Sequence, residues 1–297
     1  MKNLRSNTPF LKIEGRSGCN ITIIQDREKF LVRKVSSSFS YNARLVKQAR
    51  KQNEFKQLNS LVFFDSPKIF SQGITHEELN YFDMEYIAAE KFSSFLCRIS
   101  VKQIQQIVKH IINYLDCLFE SAQPTNPPIR IIYRKINDLK TILCSNENFN
   151  KEFKQNVFSF LEKRISKAKF YQGYCHGDLT FSNMLFCNNK IYLIDFLDSF
   201  VESPIIDLVK LRQDTKFFWS IIVDADLENY NSCKTMQILS YIDRYLEQYL
   251  LKWEYEMYTW YKYLELFNLV RIMPYVTKVN EINFVKKHIK ILLNSYD

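Results

Sequence analysis

Tyr174-Cys175-His176-Gly177-Asp178-Leu179-Thr180-Phe181-Ser182-Asn183 and, a few residues on, Ile191-Tyr192-Leu193-Ile194-Asp195-Phe196-Leu197-Asp198 decide how this chain is read. The first stretch sets His, Asp and Asn in the order His-x-Asp-x4-Asn. The second is a short apolar run that ends on Asp-Phe. Gly173, Gly177, Asp178, Thr180, Ser182 and Asn183 break any apolar period, so the first stretch reads as a loop. Met184-Leu185-Phe186 and Ile191-Tyr192-Leu193-Ile194 read as two short strands around Cys187-Asn188-Asn189-Lys190. Asparagine tolerates the left-handed backbone of a tight hairpin. Such a hairpin brings Asn183 and Asp195 to the same end. A carboxylate and an amide oxygen there suit one magnesium ion, a hard cation that leaves room in its shell for phosphate oxygens. Phosphoryl transfer from a nucleotide also needs a group that orients and deprotonates the attacking hydroxyl; Asp178 is the candidate.

Upstream, residues 9–35 read as a small antiparallel sheet. Phe10–Ile13 is a short strand, and Ile21–Gln25 and Phe30–Val35 are β-branched and aromatic strands joined by the polar turn Asp26-Arg27-Glu28-Lys29. Between the first two lies Glu14-Gly15-Arg16-Ser17-Gly18-Cys19-Asn20. A Gly-x-x-Gly loop can expose backbone N–H groups and Ser17 to phosphates, so Gly15, Ser17 and Gly18 are nucleotide-binding candidates; an ordinary glycine turn has the same sequence. The third strand carries Arg33 and Lys34, and strand alternation turns only one of them inward. Lys34 shares a face with Val32 and Phe30 and is favoured for the phosphates, with Arg33 as the alternative.

Tyr41–Leu61 reads as a helix, with Leu45, Ala49, Phe55 and Leu58 at helical spacing. Glu54 falls on its polar side beside Lys47, Arg50 and Lys51. Gln48 and Gln52 fall on the apolar side, and a buried glutamine needs a partner. Gln52, or else Gln48, is therefore the expected contact for Lys34. Tyr81–Ile87 reads as a strand leaving the sheet, where Glu85 C=O and Ile87 N–H could meet a nucleotide base. From Ser100 the period becomes helical: Val101–Ala122, then about 133–144 and 150–169, and several helices over 216–297.

These residues carry a resemblance. His176-Gly177-Asp178-Leu179-x3-Asn183, Leu193-Ile194-Asp195-Phe196 and Ser203-Pro204-x2-Asp207-Leu208 resemble the aminoglycoside phosphotransferase and choline kinase-like family. The resemblance is concentrated in residues 173–212 and is positional over the N-terminal part. It implies an α+β, bilobal protein-kinase-like fold, with a small antiparallel-sheet N-lobe and a large, mainly helical C-lobe. The expected division is 1–87 for the nucleotide-binding lobe and 88–297 for the catalytic and substrate-binding lobe. The implied activity is ATP- and Mg2+-dependent phosphorylation of a hydroxyl on a small molecule. By the same resemblance Asp178 is the base, Asn183 and Asp195 bind the metal, His176 supports the loop, and Asp207 anchors it through hydrogen bonds. The chain departs from the pattern in lacking a well-placed helix glutamate and in adding Asp198, which is open to metal, substrate or a nearby lysine.

The acceptor is less legible. Lys252–Tyr263 is dense in aromatics and acids. An aromatic cage would suit choline, but aromatics at helical spacing are more often core. Trp219, Arg271 and Tyr275 are further candidates for the acceptor side, and Arg271 suits an acidic acceptor instead. A sugar, an amino alcohol and a hydroxy acid all stay open. The alternative function is a non-catalytic, kinase-like nucleotide-binding regulator, against which the complete motif argues.

Composition agrees with an enzyme-sized globular chain. Of 297 residues 46% are hydrophobic, enough for a sizeable core. The formal charge of +9 suits an anionic ligand, but with no dense basic cluster and no RNA-binding signature, no nucleic-acid partner is expected. The seven cysteines are scattered and odd in number, which fits a reducing compartment rather than a disulfide framework. No apolar run reaches bilayer length, so the expectation is a cytoplasmic protein without a membrane partner. Oligomeric state leaves no trace in the sequence.

Overall fold

The computed structural model describes residues 9–13, 19–58, 61–90, 92–223 and 231–296. Gly15, Ser17 and Gly18 lie outside these residues. In chain order the elements begin with β1 (Pro9–Ile13), β2 (Cys19–Asp26), β3 (Lys29–Ser36), α1 (Asn42–Phe55), β4 (Phe64–Asp65), β5 (Ile69–Ile74) and β6 (Asn80–Glu85). Then come α2 (Phe92–Arg98), α3 (Val101–Ser121), β7 (Gln123–Thr125), α4 (Ile129–Cys144), α5 (Lys151–Lys163), β8 (Phe170–Gln172), β9 (Met184–Cys187) and β10 (Lys190–Leu193). The chain continues through α6 (Pro204–Thr215), α7 (Trp219–Val223), α8 (Asn231–Leu250), α9 (Tyr255–Ile272) and α10 (Val279–Asn294).

The chain divides into two compact units: Met1–Lys91 with Asn183–Asp198, and Phe92–Ser182 with Ser199–Asp297. The first holds a five-stranded antiparallel sheet in the order β1-β2-β3-β6-β5 and a three-stranded sheet in the order β4-β10-β9. The β2–β3 hairpin is in register from Cys19 opposite Ser36 to Asp26 opposite Lys29. Helix α1 covers one face of the larger sheet, and Leu45 and Ala49 pack with Ile21, Val32, Phe82 and Met84. Each large side chain buried there contributes roughly 1.5–3 kcal/mol. The helix is shorter than its apolar period suggests. Past Phe55 the chain tightens into three-residue turns, with Gln57 N–H and Leu58 N–H donating to the carbonyls of Glu54 and Phe55.

The second unit is mainly helical. Helix α3 starts on a capping box, in which Ser100 and Gln103 satisfy each other's N-terminal groups. Asn150 caps α5 in the simpler way, through Phe153 N–H. Helix α2 and the β7–β8 ribbon have no counterpart in the sequence reading, since three-residue strands are too short to show a period. Helices α6 and α9 are buried on almost every side, as expected for helices in the centre of a bundle rather than on its surface. All seven cysteines are free thiols. Among the described residues no helix is long and apolar enough to cross a membrane.

Candidate active site

In the sheet-bearing unit the candidate site residues start on β3. Its alternation buries Lys34 on the face covered by α1 and turns Arg33 to the other. There Arg33 sits opposite Asp83 on β6 and holds its carboxylate through Nε and Nη2 at 2.7 and 2.8 Å. Lys34 reaches Asp195 instead, with its ammonium on Oδ1. Asp195 follows β10 with φ of 62°, a left-handed conformation that aspartate adopts more readily than most residues. The β9–β10 turn is left-handed at both Asn188 and Asn189, as a two-residue hairpin requires. Asn183 C=O accepts from Ile194 N–H at 3.1 Å, so the hairpin ends near Asn183 and Asp195 are tied together.

The donor set fits a magnesium ion completed by phosphate. Among the described residues no group of three or more His, Cys, Asp or Glu forms a metal cage. Magnesium is commonly held by one or two protein oxygens plus nucleotide phosphates rather than by an all-protein cage, and Asp195 with Asn183 has that character. Asp195 is 29% exposed at the side chain.

Helix α1 holds the segment after Asp195. Phe55 packs against Phe196 with ring centroids 5.4 Å apart. Lys51 Nζ donates to Leu197 C=O at 2.7 Å, and Lys47 Nζ meets Asp198 Oδ2 at 3.0 Å. Two sequence expectations differ here. Lys51, expected on the polar side, is buried because its ammonium has that carbonyl to reach. Gln52 and Gln48 are buried as expected, but their amides go elsewhere. Gln52 donates to Pro67 C=O and Met84 Sδ, and Gln48 donates to Tyr41 Oη. Lys34 takes a carboxylate in place of a glutamine because Asp195 offers full charge neutralisation. Glu54 pairs along the helix with Arg50. Glu85 lies opposite Leu31 at the end of β6, and its N–H donates to Lys68 C=O. Ile87 lies beyond the strand, with its carbonyl accepting from Ala89 N–H.

In the helical unit, α6 organises the loop. Ser203 caps it through Ile205 N–H, with Pro204 in the first turn. Asp207, Lys210 and Asp214 follow at i, i+3 and i+7, which places them along one helix face. Asp207, fully buried, accepts from His176 N–H at 2.7 Å, Gly177 N–H at 2.8 Å and Tyr114 Oη–H at 2.9 Å. Lys210 Nζ meets Asp178 Oδ1 at 3.0 Å. Asp214 accepts from Phe181 N–H at 2.7 Å and from Ser220 N–H and Oγ–H at 2.9 and 2.7 Å. Successive parts of residues 176–181 are thus taken up by a carboxylate, an ammonium and a carboxylate of one helix. Gly177 has φ of 88°, where a side chain would be strained. Buried His176 lies with Nδ1 3.2 Å from Asp178 N–H.

The electrostatics follow. Burial pulls the Asp178 carboxyl upward, but Lys210, His176 and Arg271 outweigh it and hold it below the ordinary carboxylate value. Burial dominates at Asp214 and pushes it up to about 6, against the three hydrogen bonds that lower it. Sequence reading found Asp207 but missed Lys210 and Asp214. The available signal was their i, i+3, i+7 spacing from Asp207 along one helix.

On the remaining helices, the aromatic run is largely packing. Trp260 is fully buried and donates to Ala168 C=O at 3.1 Å; Tyr263 donates to Leu161 C=O at 3.2 Å. Trp253 packs edge-on to Phe119. Trp219 packs on Phe284, Tyr275 is exposed, and the Arg271 guanidinium lies 4.8 Å from the Phe200 ring centroid.

A family model described as APH, phosphotransferase enzyme family, matches residues 14–260. Among solved structures, a thermostable mutant of aminoglycoside phosphotransferase APH(4)-Ia with AMP-PNP and hygromycin B aligns with a TM-score of 0.63 at 10% identity. The alignment covers 96% of this chain and 93% of that one. The same enzyme with ADP and hygromycin B gives 0.62 at 10% identity over the same shares. The streptomycin–ATP complex of APH(2")-IIa gives 0.53 at 14% identity over 96% and 90%. At such identities the likeness establishes the fold, which is the α+β kinase-like one. Comparison with curated proteins by sequence gave no match.

Proposed function

The chain belongs to the phosphotransferase enzyme family, a small-molecule kinase with a hydroxyl acceptor, and on that premise we propose that it uses ATP and magnesium, with Asp178 as base. Residues 1–87 are assigned to the nucleotide and 88–297 to catalysis and the acceptor. The observation that carries this reading is the meeting of Lys34 with Asp195. It joins a strand lysine suited to phosphates with a carboxylate suited to a metal, and Asp195 lies on the same short sequence motif as Asp178.

Each residue then has a role. Asp178, ionised across neutral pH, orients the acceptor hydroxyl and takes its proton as the oxygen bonds to the γ-phosphorus and the β–γ bridging bond breaks. Lys34 holds nucleotide phosphates. Asn183 and Asp195 would hold magnesium, which supplies charge neutralisation to those phosphates. Glu85 C=O and Ile87 N–H take the base, and Gly15, Ser17 and Gly18 the phosphates. Gln52 supports the Lys34 region through its bond to Pro67, and His176 sets the Asp178 backbone. Asp198 is assigned to Lys47 rather than to the metal.

The test is ATP consumption screened over sugars, amino alcohols and hydroxy acids, with Asp195→Ala as control. On the acceptor that turns over, Asp178→Asn is expected to lose ~10²–10⁴-fold in kcat. Near-full turnover in that variant would remove Asp178 from the role.

A further inference from the structure

The base has a partner that no motif announces. Lys210 projects from α6, its side chain only 12% exposed, and its ammonium lies 3.0 Å from Asp178 Oδ1 and 3.3 Å from Gln213 Oε1. Gln213 Oε1 also accepts from Asn268 Nδ2 at 2.7 Å. Both amides are nearly fully buried, Gln213 one turn along α6 and Asn268 on α9. The lysine is therefore braced from behind by a two-helix amide pair and from the side by the α6 register that fixes Asp207 and Asp214 on the same loop. An ammonium so placed is not a surface pair of the kind that contributes little.

We propose that Lys210 is a positioning residue for the transfer reaction: it pins one oxygen of Asp178, so that the carboxylate offers a fixed edge to the acceptor hydroxyl. This rests on Asp178 being the base. The charged and titratable groups facing Asp178 are Lys210 and Asp214 from α6, His176 from its own loop and Arg271 from α9; Asp207 is engaged by the loop backbone. Burial acts against ionisation of Asp178, and the cations restore it. Lys210 is in direct contact at 3.0 Å, so its removal loosens the rotamer and withdraws a stabilising charge together. An opposite charge within 4–6 Å typically displaces a carboxylate by about 1–3 pH units.

The experiment compares Lys210→Met, Lys210→Arg and wild type in kcat/KM against pH, with a 13C NMR titration of the Asp178 carboxyl. In Lys210→Met the acid limb is expected to move up by about one pH unit or more. Turnover above that limb is expected to fall by roughly 10–10²-fold through loss of alignment, with KM for ATP unchanged. Lys210→Arg should restore most of both. An acid limb in Lys210→Met that coincides with wild type overturns the proposal. So does a wild-type Asp178 that titrates at or above the ordinary carboxylate value, a measurement that needs no variant to fold. Failure of the base assignment is distinct: it appears as undiminished turnover in Asp178→Asn.

Discussion

Helix α1 sends two lysines to residues 197–198, one of them 64% exposed and pairing with an aspartate at the surface. Helix α6 sends Asp207, Lys210 and Asp214 to residues 176–181, and both carboxylates are fully buried. Each helix thus steadies a segment that bears candidate site residues, within its own unit, but with different physics. A buried carboxylate that accepts three hydrogen bonds is costly to leave unmatched, so the loop conformation is strongly specified. A surface lysine on an aspartate is screened by solvent and specifies little. The difference teaches where rigidity is placed. The backbone around the proposed base is fixed by α6, whereas the segment beyond Asp195 is tied mainly by Phe196 packing and one buried ammonium.

The strongest way to break this comparison is Asp207→Ala. It leaves two backbone N–H groups and the Tyr114 hydroxyl without their acceptor, at 1–3 kcal/mol each. A loss on the order of 4 kcal/mol is expected, with a melting temperature lower by roughly 10 °C and little residual turnover. Melting within a degree or two of wild type would show that α6 does not hold the loop.

Asp214 sharpens the comparison through pH. Its folded-state carboxyl is raised to about 6, burial being the largest cause. The folded chain therefore holds that proton more tightly than the unfolded chain does. The stabilisation is fully present below the ordinary carboxylate pKa and is lost as pH rises through about 6. The amount is on the order of 3 kcal/mol. Urea midpoints measured from pH 4.5 to 7.5 on a scale of about half a pH unit should fall for wild type relative to Asp214→Asn; parallel curves would remove Asp214 as the source. Asp178 has the opposite sign, since its lowered pKa adds stability above the ordinary carboxylate range and loses it only in stronger acid.

The smallest effect belongs to α1. Lys47→Ala should change stability by no more than about 0.5 kcal/mol and leave ATP turnover close to wild type. A loss comparable to that of Asp207→Ala would put the two helices on an equal footing and end the contrast drawn between them.

Much of the molecule was legible from residues alone, for reasons of period and chirality. Strand alternation separated Lys34 from Arg33 correctly, because neighbouring residues on β3 must face opposite sides. The double asparagine announced the β9–β10 turn, because few other residues accept φ above zero twice in succession. The helical wheel placed Gln48 and Gln52 inside α1, but not their partners, and it put Lys51 outside. A wheel records which side is apolar; it cannot know that a carbonyl at Leu197 lies within reach of a long side chain.

The opening motif therefore pointed to phosphoryl transfer, with Asp178, Asn183 and Asp195 as its candidate residues, by order and spacing along one short piece of chain. The resemblance named Asp207 as an anchor of that piece, and only the tertiary structure added Lys210 and Asp214 to it. Asp207, Lys210 and Asp214 lie some thirty residues downstream in a helix buried on nearly every side. Such a helix has no amphipathic period to betray a functional face. Its charges acquire meaning only when folding sets them against the loop, where low solvent exposure makes each pairing costly to lose.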